Sequence, residues 1–198
     1  MNICMIGTGY VGLVSGTCFS DLGNTVICVD NDKKKIEKLN SGISPIYEPG
    51  LSELIKKNFN AGRLFFTTNL KNAIKKSDII FICVGTPNKK NSQNVDLSFV
   101  YKALKDIIKV SKGKKIVVTK STVPVGTGDE LEKILKKSKK KNIDIISNPE
   151  FLREGEAIRD FIYPDRVVIG CNDEKSKKIL KNLYSPLISK GAKFVSTN

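Results

Sequence analysis

The first residues whose type and spacing suggest chemistry are the glycines of Gly7-Thr8-Gly9-Tyr10-Val11-Gly12. A lone G-x-G-x-x-G is a weak signal. Here the apolar run Asn2 to Ile6 leads directly into it and a helical pattern follows, which is the setting a dinucleotide site requires. Gly7 permits a tight turn, Gly9 lets a pyrophosphate reach the backbone, and Gly12 lets the helix pack closely. The helix N-terminus supplies donors and positive potential, and Thr8, Tyr10 and Val11 count with the glycines as cofactor-binding. Asp30 ends a second apolar run, close to the spacing of about 20 residues at which a carboxylate takes the ribose hydroxyls. A carboxylate there repels the 2′-phosphate of NADP, so NAD is the expected cofactor. Lys33, Lys34 and Lys35 are either exposed helix surface or a tolerance for phosphate, and Lys35 counts among the cofactor-side candidates.

Three further segments carry candidate groups. Val84-Gly85-Thr86-Pro87 follows an apolar run, at the sheet edge where open α/β proteins bind ligands. Gly85 would let backbone approach the cofactor and Thr86 offers a hydroxyl, although a structural turn also explains the segment. Ser121-Thr122 follows another such run. Its hydroxyls could hold the nicotinamide ribose or a catalytic water, or cap a helix. Glu150 and Glu154 are four residues apart, so in a helical turn started by Asn148-Pro149 they would share a face. Such a pair is either catalytic or an acidic first turn that favours the helix dipole.

The elements that must position these residues alternate between short β-rich runs and longer helical patterns, as in βαβ units. Strands are expected at Asn2 to Ile6, Thr25 to Asp30, Leu64 to Thr67, Asp78 to Val84, Lys115 to Thr119, Ile143 to Ser147, Arg166 to Ile169 and near Phe194. Helices are expected at Tyr10 to Leu22, Asp32 to Leu39, Leu51 to Phe59, Asn69 to Lys75, Asp96 to Val110, Gly128 to Lys137 and Asp173 to Leu183. Asp78 to Val84 is apolar throughout, as a central parallel strand should be. The fold class that follows is α/β: one doubly wound, mostly parallel, Rossmann-like sheet with helices on both faces, spanning residues 1–198 as a single domain.

Composition narrows the function classes. The net charge of +14 raises the question of nucleic acid, but of 34 basic residues only Arg63, Arg153, Arg159 and Arg166 are arginine. Base readout favours arginine, and single-strand binding favours interleaved aromatics. Neither pattern is present, so a solvated lysine surface is the reading and no nucleic-acid partner is expected. The positive field would attract anionic nucleotides. Five cysteines without C-x-x-C spacing, and no histidine, argue against a zinc site or a disulfide framework. Reduced, buried thiols in a cytoplasmic protein fit them better. The uncharged stretch Ile3 to Ser20 contains Gly12-x-x-x-Gly16, yet glycines and hydroxyls interrupt it and no basic segment precedes it. A strand, turn and packed helix account for it; no membrane span or export signal is expected.

The order and spacing of Pro45-Ile46-Tyr47-Glu48-Pro49-Gly50-Leu51, Val84 to Pro87, Lys120-Ser121-Thr122-Val123-Pro124-Val125-Gly126, Asn148-Pro149-Glu150-Phe151-Leu152-Arg153-Glu154-Gly155 and Pro164 to Gly170 resemble the UDP-glucose/GDP-mannose dehydrogenase family over essentially the whole chain. The resemblance implies twofold oxidation of a primary alcohol, taking UDP-glucose to UDP-glucuronate with two NAD. In the family this runs through a thiohemiacetal and a thioester on a cysteine, which water then hydrolyses. It further implies that Glu150 assists the water and proton steps, with Thr122 beside it, and that Glu154 borders the nicotinamide. Phe151, Leu152 and Arg153, with the two glutamates, would lie by the sugar nucleotide. Tyr47 and Glu48 remain structural or cofactor-lining. The family's nucleophilic cysteine sits in a G-F-G-G-S-C segment, and its partner lysine and asparagine on a long central helix that is also the dimer interface. None of these is among the 198 residues. The expectation is therefore a cofactor-binding half that needs its missing C-terminal part, or a homo-oligomer of the complete enzyme, to turn over. A non-catalytic NAD-binding remnant or split-enzyme half, and a GDP-mannose enzyme, are the alternatives. Ile46-Tyr47-Glu48 and Ser121 to Val125 look more like the UDP-glucose branch.

Overall fold

A computed structural model describes residues 1–89 and 94–197. Asn198, the last residue of the expected domain, lies outside them. Among the described residues eight strands form one sheet in the order β3-β2-β1-β4-β5-β6-β7-β8. They are β1 (Asn2–Ile6), β2 (Thr25–Val29), β3 (Leu64–Thr67), β4 (Ile79–Ile82), β5 (Lys115–Thr119), β6 (Ile143–Ser147), β7 (Arg166–Gly170) and β8 (Lys193–Thr197). β1 to β6 run parallel. β7 meets β6 antiparallel through the single pair Ser147↔Gly170, and β8 then runs parallel to β7. The first six strands thus follow the doubly wound order, and the last two extend the sheet with reversed polarity.

Alternation of side chains along β1 shows how the sheet is covered. Ile3 and Met5 belong to one core cluster, Cys4 and Ile6 to the other, so the strand is buried on both faces. On the first face lie α1 (Tyr10–Asp21), α2 (Lys33–Asn40), α3 (Leu51–Asn60), α7 (Ala157–Ile162), α8 (Glu174–Leu183) and α9 (Ser185–Ile188). On the second lie α4 (Leu70–Lys76), α5 (Ser98–Val110) and α6 (Thr127–Lys137). Side-chain caps start three of these helices where the sequence places them. The side chains of Asp32, Asn69 and Asp173 accept from the amides of Lys35, Asn72 and Ser176.

Helix α1 is the most deeply set of these, with Gly12 to Ser20 buried. Its Phe19 packs against Phe81 of β4, Phe161 of α7 and Tyr184 after α8, at ring-centroid distances of 5.2, 4.9 and 5.4 Å. A single aromatic therefore ties the first half of the fold to the second.

Two expectations need correction. Asn148 to Arg153 is not a helical turn: the chain leaves β6 without helix, turns only at Glu154 to Glu156, and becomes helical at Ala157. The Asn148 side chain donates to Val168 O and accepts from the Tyr184 hydroxyl, so it is not free to cap a turn that Pro149 would otherwise begin. Ser121-Thr122 does not cap a helix either, because Gly126 occupies the cap position of α6. Helices α7 and α9 have no counterpart among the expected elements, being only six and four residues long.

Replacing Phe19 removes a fully buried ring with three aromatic neighbours. Phe19→Ala should lower unfolding stability by about 3–5 kcal/mol, read from the midpoint of a urea titration.

Candidate functional site

Every segment singled out for chemistry leaves the carboxyl end of a parallel strand. Gly7 follows β1, Asp30 follows β2, Cys83 to Pro87 follow β4, Lys120 to Thr122 follow β5, and Asn148 to Glu150 follow β6. The strand order reverses between β1 and β4, so the crevice of a doubly wound sheet opens there.

The turn out of β1 is fixed by closeness. Gly7 has φ +101°, and a Cβ on it would lie 2.6 Å from Cys83 O. A Cβ on Gly12 would lie 2.0 Å from Gly7 O, so α1 sits flush against the turn and neither position admits a side chain. Gly9 is different: a Cβ there would meet nothing within 4 Å, because it faces the cleft. Gly9 caps α1 without a side-chain hydrogen bond, and the first turn contains no acidic residue. The amides at this helix end are thus left for an anion, which is the fit a pyrophosphate needs.

Asp30 is organised before any ligand arrives. Its Oδ2 accepts from the Thr8 amide at 2.9 Å and the Thr8 hydroxyl at 2.7 Å. Lys35 Nζ stands 3.3 Å from the same oxygen, and Oδ1 accepts from the Asp32 amide at 3.1 Å. Partial burial works against the charge, but the Thr8 hydroxyl, the Asp32 and Thr8 amides and Lys35 outweigh it and hold the carboxyl below its ordinary range. A cleft of about 310 Å³ runs between these groups, lined by Gly7, Gly9, Asp30, Lys35, Val84 and Gly85 from the expected set. Its far wall adds Phe99, Lys102 and Ala103 of α5, which no sequence motif marks.

Other candidates are committed elsewhere. The Ser121 hydroxyl is buried and donates to Val84 O at 2.7 Å, and the Thr86 hydroxyl donates to Thr122 O at 2.9 Å. These bonds tie the β4 and β5 loops together and leave Thr122 exposed. Val11 is half-buried against the first core cluster, and Pro87 is exposed. Tyr10 turns its hydroxyl to the buried carboxylate of Glu48, and burial followed by that contact pushes the phenol up to about 12. Glu48 also accepts from the Gly155 amide at 2.8 Å and the Ile158 amide at 3.3 Å. One carboxylate thus anchors the turn that carries Glu154 to the first residue of the glycine-rich helix. Sequence spacing could not show this bond, which spans 107 residues.

A second, smaller cavity of about 40 Å³ is lined by Lys120, Asn148, Glu150, Phe151, Leu152 and Tyr184 among others. Glu150 Oε2 accepts from the Leu152 amide at 2.6 Å. Phe151 is half exposed, with the Arg166 guanidinium 5.1 Å from its ring centroid. Arg153 does not face this cavity. It is paired with Asp160 at 2.7 Å and Glu156 at 2.8 Å. The structure thus brings Glu150, Phe151 and Leu152 together and holds Arg153 and Glu154 on the adjoining turn.

The comparisons agree with this geometry. Residues 1–188 match the model of the UDP-glucose/GDP-mannose dehydrogenase family, NAD binding domain. The chain is 51% identical over 190 residues to the UDP-glucose 6-dehydrogenase of Rhizobium meliloti (strain 1021), covering 94% of this chain and 44% of that protein. It is 50% identical to UDP-glucose 6-dehydrogenase TuaD of Bacillus subtilis (strain 168), covering 93% and 40%. Among solved structures, the GDP-mannose dehydrogenase of Pseudomonas aeruginosa superposes with a TM-score of 0.93 at 38% identity, over all of this chain and 46% of that one. The UDP-glucose dehydrogenase of Pyrobaculum islandicum gives 0.91 at 35%, over 99% and 46%. The chain therefore spans less than half the length of the relatives it matches. Among the described residues no helix is long and apolar enough to cross a membrane. With the glycine turn, the Asp30 carboxylate and the family match in agreement, this chain belongs to the UDP-glucose/GDP-mannose dehydrogenase family, as its NAD binding domain.

Proposed function

We propose that this chain, as one domain over residues 1–198, is the cofactor-binding half of a cytoplasmic enzyme that oxidises UDP-glucose to UDP-glucuronate with two NAD. The observation that carries the reading is the pre-oriented Asp30 carboxylate facing an uncapped helix N-terminus across one cleft. In this reading Gly7 to Gly12 receive the pyrophosphate and Asp30 with Lys35 takes the adenine ribose. Val84 to Pro87 and Ser121-Thr122 border the nicotinamide side, with Glu154 facing it. Bound there, NAD supplies the hydride acceptor. The chain's own residues orient it and handle protons.

Glu150, with Thr122 nearby, serves the water and proton steps, and Phe151, Leu152 and Arg153 flank the sugar nucleotide. Relatives near 50% identity that carry the UDP-glucose name support that substrate. The closeness of the GDP-mannose dehydrogenase backbone keeps GDP-mannose as the second reading. The nucleophile is not among the cysteines here. Cys4, Cys18, Cys28, Cys83 and Cys171 are all buried, and burial raises each thiol, Cys83 to about 12. Thiols so far from ionisation are poor nucleophiles at neutral pH.

Two outcomes follow. Asp30→Ala should weaken NAD binding by roughly tenfold to a hundredfold, about 1.5–3 kcal/mol, in isothermal titration calorimetry, and should narrow the preference over NADP. With NAD and UDP-glucose supplied, residues 1–198 alone should bind NAD yet show no sustained rise in NADH absorbance. Steady turnover would mean that one of the five buried cysteines reacts.

A further inference from the structure

Lys120 is the anomaly of the site. It is the first residue beyond β5, only 5% exposed, and its ammonium has three N–H donors. Among the described residues its one acceptor is Asn148 Oδ1, at 3.3 Å. That oxygen already receives the Tyr184 hydroxyl at 2.6 Å, so Asn148 does not need the lysine. Burial drives the amine below the ordinary lysine range, while Cys83 and Glu150 pull it back up. A buried cation with so little compensation is costly to the fold.

Lys120 and Glu150 both line the cavity of about 40 Å³. The pair is not in direct contact: among the described residues no ion pair within 4 Å joins them. Glu150 Oε2 is occupied by the Leu152 amide, and among the described residues none donates to Oε1. The cavity exceeds the roughly 10–15 Å³ that a water requires, and its lining includes both a donor, Lys120, and an acceptor, Glu150.

We propose that Lys120 is a positioning residue of this site, which with Glu150 holds a single water in the cavity between β5 and β6 and so fixes the Glu150 head group. Under the function proposed above, on which this last clause rests, that water is the one at hand for hydrolysis. The other titratable or charged groups around the amine are Cys83 after β4, Tyr184 after α8, Asp160 of α7 and Arg166 of β7.

The test follows the Lys120 side chain by NMR in ¹³C-lysine-labelled chain, with the signal assigned by its loss in Lys120→Met. Its titration midpoint should lie below the ordinary value of about 10.4 and fall further in Glu150→Gln. A crystal structure resolving waters should show one within hydrogen-bond reach of both groups, absent from Lys120→Met. Lys120→Met should also melt about 2–4 °C higher than the parent, because it removes a poorly compensated buried cation while Asn148 Oδ1 keeps the Tyr184 hydroxyl. Below pH 10 the parent should gain stability as pH rises toward the ordinary lysine value, since its unfolded state binds the extra proton, and the variant should not. A midpoint indifferent to Glu150→Gln, or a lower melting temperature in Lys120→Met, would overturn the proposal. NAD binding measured on the same samples judges the cofactor reading separately, because neither Lys120 readout depends on it.

Discussion

The contact between Gly12 and Gly7 O is the constraint on which the rest of the site depends. With only 2.0 Å available to a Cβ, no residue but glycine lets α1 lie against the turn out of β1. That placement buries the helix from Gly12 to Ser20 and brings Phe19 onto β4. It also aims the uncapped amides at the crevice where the strand order reverses. The same turn presents Thr8 to Asp30, so the glycine-rich segment and the acidic residue after β2 form one preassembled unit.

A second unit is assembled around Glu48. A buried carboxylate that receives a phenol and two backbone amides holds the Glu154-Gly155 turn against Tyr10. The cofactor cleft and the Glu150 cavity are therefore joined mechanically through α1. They also share a wall, since Cys83 lines the first and lies beside Lys120 of the second. Under the proposed function, hydride acceptor and proton-handling groups would then be set by neighbouring strand ends rather than by the longer loops.

Much of this was legible in the sequence because it is local. Hydrophobic periodicity and flanking turn residues located all eight strands, and Asp32, Asn69 and Asp173 marked three helix starts through a side chain that reaches its own first turn. The glycine spacing was informative for the same reason. What spacing could not reveal was set by distant partners. Asn148 is drawn out of a helical start by Val168 and Tyr184, the latter 36 residues away. Arg153 is claimed by Asp160, and Ser121 by a carbonyl on the neighbouring strand's loop. Lys120 stood in the sequence only as the first residue of the Lys120 to Gly126 segment, with no role of its own, and it is burial that singles it out.

The central claim is that the Gly7 to Gly12 turn and Asp30 form a single dinucleotide seat. A crystal structure of the chain grown with NAD tests it most directly. The account predicts the pyrophosphate on the first-turn amides of α1 and both adenine-ribose hydroxyls on Asp30. A dinucleotide found at any other place, or a ribose turned away from Asp30, would contradict it.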